Sequence, residues 1–180
     1  MTAQDTQIDR EHYDLSRNPL SEVLDELIEA AASFPLPGLI DGAFVLDGDG
    51  RLLATSGRYI RRFLWELSAL SAALAGVAQQ GQVYLQARPF ADIMVLYDDK
   101  QLYVCNVGLS NRSVPVLLAI IADVRTNIGF IRIRMRQTAK HLLTLVESDV
   151  TVQKLLGLHE EELESAMRTL NDVFTGGYSK

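Results

Sequence analysis

Three histidines, one cysteine, a turn rich in aspartate and a run of arginines are the residues of this 180-residue chain whose types could do chemistry. A metal site would need His12, His141 and His159 gathered from three separate segments, because no i, i+4 histidine pair of the zincin kind is present. They read as solvated or partly packed side chains. Asp47-Gly48-Asp49-Gly50 has the alternating acids with which a calcium loop opens, but the fifth and twelfth positions are Arg51 and Arg58, which cannot ligate a cation. That segment reads as a turn. Cys105 stands alone, so no internal disulfide, thiolate zinc cluster or CxxC pair can form, and its apolar neighbours make it an inert core thiol. Asp98 and Asp99 fall at a hairpin tip. The GxSxG elbow and the GxGxxG and GxxxxGK[ST] phosphate loops are absent. Catalytic, cofactor-binding and metal-ligating residues are therefore all read as none, and the chain as a binding module rather than an enzyme.

Arg132, Arg134, Arg136 and Lys140 form a concentrated basic stretch. It could meet an acidic partner or lipid, or stay solvated. The formal net charge of -6 opposes phosphate binding, so nucleic acid is not an expected partner. Hydrophobic residues make up 48% and charged residues 22% of the chain, enough apolar surface for one core without staples. No apolar run approaches the roughly 18 residues of a membrane span, and the first residues lack a signal-peptide core. With its lone cysteine, the chain reads as cytoplasmic, without membrane insertion.

The elements that would carry these residues follow from periodicity. Residues 1–17 read as a flexible N-terminal arm. Asn18-Pro19 is a helix cap and first-turn pair, followed by Leu20, Val23, Leu24, Leu27, Ile28 and Ala31 at helical spacing until Pro35 and Pro37. Residues 39–46 and 52–55 make a hairpin around the aspartate turn, and 91–98 with 101–107 make a second. Residues 114–122, almost continuously apolar, should be the most buried strand. The stretch 128–146 reads as a helix despite the strand-like alternation at its start, because Ile128, Ile131, Met135, Ala139, Leu142 and Val146 sustain one stripe too long for a strand. Leu163, Met167, Leu170 and Phe174 predict a terminal helix with Glu160, Glu161 and Glu162 at its start.

The helix expected over 59–80, ending near Gly81, has more apolar surface than one packing face needs. Phe63, Leu67, Leu70, Leu74 and Val77 form a broad stripe suited to a sheet. Trp65, Ala69, Ala72 and Gly76, spaced four, three and four, form a second, mostly small seam that suits close approach of another helix. These four residues are the expected dimer interface, with the terminal helix folding over the seam as the intramolecular alternative.

The order helix, two strands, helix, three strands, helix implies an α+β fold with a five-stranded, mainly antiparallel sheet, helices packed on it and an additional C-terminal helix. Together with the phrases GAFVLDGDG at 42–50, LSALSAALAG at 67–76 and NIGFIRIRM at 127–135, this order resembles the roadblock/dynein light chain family, bacterial type, a relative of longin and profilin-like folds. The resemblance spans about residues 21–146 and divides the chain into an arm (1–17), a roadblock-like domain (18–147) and a C-terminal helical extension (148–180). It implies a non-catalytic homodimer without cofactors, in which the middle helices pack together, serving as a scaffold or regulator of a small Ras-like GTPase or signalling complex. A small-molecule-sensing regulatory domain is the alternative that related folds imply.

Overall fold

The computed structural model describes residues 17–33, 39–57, 61–109 and 115–156. The first helix, α1 (Pro19–Ala32), starts where the sequence says it must. Asn18 Oδ1 accepts from the amides of Leu20 (3.0 Å) and Ser21 (3.1 Å), and Ser21 Oγ accepts from the Asn18 amide (2.8 Å), so a reciprocal capping box closes around Pro19. Strands β1 (Ile40–Asp47) and β2 (Leu52–Gly57) form the first hairpin, followed by α2 (Arg61–Leu85). Strands β3 (Asp92–Leu96), β4 (Lys100–Leu109) and β5 (Pro115–Asp123) then lead into α3 (Ile128–Ser148).

The sheet order is β2-β1-β5-β4-β3, and every neighbouring pair is antiparallel. β5 lies at the centre and is buried along its length, which is why its sequence lacks the alternation of a half-solvated strand. Alternation does sort the two faces. Ala43, Val45, Tyr103, Cys105, Leu118 and Ile120 point to one face, where α1 and α3 cover them; Phe44, Leu46, Leu102, Val104, Leu117 and Ile121 point to the other, where α2 is the one described helix. Residues 150–156 are helical, and Val152, Leu155 and Leu156 join the α1/α3 core, so the chain just past α3 is packed into the domain. The expected terminal helix of Leu163 to Phe174 lies outside the described residues.

Two details depart from the sequence expectation. Gly81 lies inside α2 rather than past its end. The helix closes four residues later with Gln86 at φ 51, the Gln86 amide bonded to the Val83 carbonyl (3.3 Å) and the Ala87 amide to the Gln82 carbonyl (3.0 Å). That is a Schellman pattern with glutamine in the left-handed position; glycine permits such a stop but does not impose one. The second departure is that β4, expected to end at residue 107, runs on to Leu109 through a bulge at Gly108, where it shifts register against β5 at φ 145 and a Cβ would come 2.8 Å from Leu143 Cδ1. The bulge lets α3 close on the sheet.

Loop placement before α3 comes from a buried amide. Gln101 Nε2 donates to the carbonyls of Asp123 (3.1 Å), Val124 (2.6 Å) and Thr126 (3.0 Å), and the Tyr103 hydroxyl donates to Gln101 Oε1. Asn127 then caps α3 by accepting from the Phe130 amide (3.0 Å). Burial pushes the Tyr103 hydroxyl pKa up, with Arg132 opposing and Asp92 adding to that shift.

Candidate functional site

Among the described residues, those singled out for chemistry do not converge. His141 is exposed on α3 with Nδ1 3.9 Å from Glu26 Oε2 on α1, while His12 and His159 lie outside the described residues. Among the described residues no group of three or more His, Cys, Asp and Glu side chains could hold a metal ion. The aspartate turn is a turn. Asp47 Oδ1 accepts from the amides of Asp49 (3.1 Å) and Arg51 (2.9 Å), and Gly50 takes φ 86. Cys105 is buried in β4 with its thiol pushed up to about 12, first by desolvation and second by the Asp92 carboxylate. It is protonated and unreactive at neutral pH.

What the fold does assemble is a surface on α2. The stripe that meets the sheet is Leu64, Ser68, Ser71 and Ala75, spaced four, three and four. Ser68 Oγ donates to the Leu64 carbonyl and Ser71 Oγ to the Leu67 carbonyl, each at 2.7 Å, so both hydroxyls are satisfied within the helix and the residues pack as small ones. Small residues are required there because Phe44, Leu46, Leu102, Leu117 and Ile121 already fill the space from the sheet side.

The sequence assigns to the sheet the stripe of Phe63, Leu67, Leu70, Leu74 and Val77, and the structure corrects this. That stripe lies one residue, about 100°, to one side of the buried line, and Phe63, Leu70 and Val77 are exposed, Val77 to 71%. Leu67 and Leu74 sink their inner edges into the α2-side core. The four-three spacing continues through Gly81 to Tyr84, which is 83% exposed. Trp65, Ala69, Ala72 and Gly76 lie one residue to the other side. Trp65 (61%), Ala69 and Gly76 are exposed; Ala72 leans onto the β1–β2 turn, where a Cβ at Gly50 would meet its methyl at 3.2 Å. Beyond Ala75 no residue of α2 is buried, so the last turns overhang the sheet with Val77, Val83, Tyr84 and Leu85 uncovered.

A second surface lies on the opposite layer. The outward side of α3 carries Arg132, Ile133, Arg136 and Lys140, all exposed. Arg132 and Arg136 both turn toward Asp92 at the start of β3, at 2.6 and 3.9 Å, while Arg134 sits 5.5 Å over the Phe130 ring. The Asp92 pairing was not legible in sequence, because its partners are on an element about forty residues away.

No family profile and no curated protein matches the sequence. Solved structures do resemble it. An MglB structure with a tetrameric arrangement superposes with a TM-score of 0.60 at 21% identity, over 71% of this chain and 87% of that one. Gliding protein MglB from Thermus thermophilus gives 0.59 at 20% identity, over 71% and 87%. A Roadblock/LC7 domain from Streptomyces avermitilis gives 0.57 at 16% identity, over 67% and 92%. The chain has the roadblock/LC7 fold, as its element order implied. No described helix is long and apolar enough to cross a membrane.

Proposed function

We propose that this chain of roadblock/LC7 fold is a non-catalytic, homodimeric scaffold or regulator in the cytoplasm, binding a small Ras-like GTPase or the signalling complex around one. The observation that carries the self-association is the half-covered sheet face. Five strands about 4.8 Å apart span roughly 20 Å, whereas one helix covers about 10 Å. Among the described residues two helices cover one face and α2 alone the other, with apolar residues on both its flanks. A second α2, related by a two-fold axis, supplies the missing cover.

In this reading the α2 helices run antiparallel. Leu74 meets its own copy and Leu70 meets Val77 on one flank, while the expected seam of Trp65, Ala69, Ala72 and Gly76 lies on the other flank, where a second copy would make a separate contact. One of the similar MglB structures has a tetrameric arrangement, which is in keeping with a fold that self-associates. Residues 18–147 act as the roadblock-like unit, preceded by the arm at 1–17 and followed by the extension at 148–180. The GTPase rests on the roadblock/dynein light chain resemblance.

Light scattering on the purified chain tests the assembly, and a nucleotide-dependent pull-down tests the partner. A dimer in the low micromolar range that recovers a GTPase in one nucleotide state is the expected result. A wild-type monomer overturns the dimer; turnover by the chain alone, or a stoichiometric small molecule carried through purification, overturns the scaffold reading.

A further inference from the structure

We infer that the acidic C-terminal residues 157–174 fold back onto the outward face of α3, so that in the free protein this basic surface is covered by the chain's own tail. The face is built for an acidic occupant. From Asn127 to Val146 the sequence holds Arg132, Arg134, Arg136, Lys140 and His141 and no aspartate or glutamate, in a chain whose net charge is -6. The acids that do face α3 are few. Asp92 on β3 holds Arg132 and lies near Arg136, and Glu26 on α1 faces His141. One buried carboxylate between two guanidiniums leaves the ridge positive. In its middle stands Ile133, 62% exposed, an apolar side chain among charges.

The route of the chain selects the occupant. Val152, Leu155 and Leu156 are buried in the α1/α3 core, held by an Asp149 cap whose Oδ1 accepts from the amides of Thr151 (2.8 Å) and Val152 (3.0 Å). Leu156, the last described residue, therefore lies in the α3 layer, with the sheet between it and α2. The tail carries Glu160, Glu161, Glu162 and Glu164, then Leu163, Met167, Leu170 and Phe174 at helical spacing. As a helix, 160–174 reaches about 22 Å, well within the roughly 31 Å of α3. Laid antiparallel, its glutamates fall beside Lys140 and Arg136 and its apolar stripe runs over Ile133. On α2 the cations Arg61 and Arg62 stand only at its start, and over the rest of the helix, Phe63 to Leu85, the one charged residue is Glu66. Opposite charge and a shared apolar strip both favour α3.

The test is carbodiimide cross-linking of the full-length protein, mixing isotopically heavy and light chains before reaction. Lys140 is expected to join the peptide bearing Glu160 to Glu164 in light–light and heavy–heavy pairs, in a yield that falls several-fold at 0.5 M salt. Ile133→Asp and, separately, Phe174→Asp should each cut that yield at least fivefold. The second alters no residue of the described core, so it reports on docking even if the first destabilises α3. Mixed heavy–light pairs would mean that the tail docks on a second copy. Those pairs, links confined to Lys154 or Lys100, or a yield untouched by Phe174→Asp would each overturn the proposal.

Discussion

Arg132 on α3 donates to Asp92 Oδ1 on β3 through Nε at 3.0 Å and Nη2 at 2.6 Å, tying a helix to the edge strand of the sheet. The Asp92 side chain is 6% exposed, so its charge is compensated chiefly by that guanidinium, with Arg136 at 3.9 Å in support. Removing Arg132 leaves a buried carboxylate with the more distant cation. We expect Arg132→Ala to cost about 1–3 kcal/mol, below the usual cost of breaking a fully buried pair because the arginine is half exposed. A double-mutant cycle with Arg136→Ala, read by urea denaturation, should be non-additive, since each arginine backs up the other.

Ser68 is buried between α2 and the sheet, with its hydroxyl returned to the Leu64 carbonyl. Ser68→Ala removes an internal bond without leaving an orphan donor and should change stability by no more than about 1 kcal/mol. Ser68→Leu, although a better helix former by propensity, should cost about 1–3 kcal/mol by pushing the helix off the sheet. Thermal denaturation of the two variants separates them; equal stability would contradict the close approach.

Gly76 and Gly81 sit in helical positions where an added Cβ meets nothing within 4 Å in a single chain. Each glycine-to-alanine change should therefore stabilise the isolated protomer by up to about 1 kcal/mol. If the small-residue side of α2 is pressed against a second copy, Gly76→Ala should also weaken dimerisation in sedimentation experiments, with Leu74 unaltered.

Leu74 is the centre of the proposed α2 pairing. The native cysteine is buried in β4, so Leu74→Cys introduces a single accessible thiol at that point. Under mild oxidation it should form a disulfide-linked dimer within minutes, whereas Glu66→Cys, farther from the axis, should link much more slowly. Non-reducing electrophoresis reads both. Equal rates would move the two-fold axis elsewhere.

Cys105 gives a pH dependence of definite sign. Its folded pKa, about 12, lies above that of a cysteine in an unfolded chain, about 8.5. Its contribution to stability is complete below the unfolded value and declines as pH rises from there toward 12, because the unfolded thiol ionises first. Urea midpoints measured from pH 8 to 10 should fall less steeply in Cys105→Ala than in the wild type, and thiol reagents at pH 8 should label the native protein only as fast as it opens.

Much of this molecule is written locally. Asn18, Pro19 and Ser21 state where α1 begins, the alternation of β4 separates its two faces, and the long stripe from Ile131 to Val146 decides helix over strand for α3. Such signals survive in sequence because they arise from bonds and contacts among residues a few positions apart. The orientation of α2 does not. Hydropathy marks Ser68 and Ser71 as polar, so a helical wheel sees two apolar flanks and no buried line between them. Only when the sheet is in place, its inner side already filled by Phe44, Leu117 and Ile121, does volume require the small line to face inward and the large residues to remain at the side. The sequence by itself determined which elements form and that α2 has apolar surface to spare; the packed sheet decided which of its faces stays exposed.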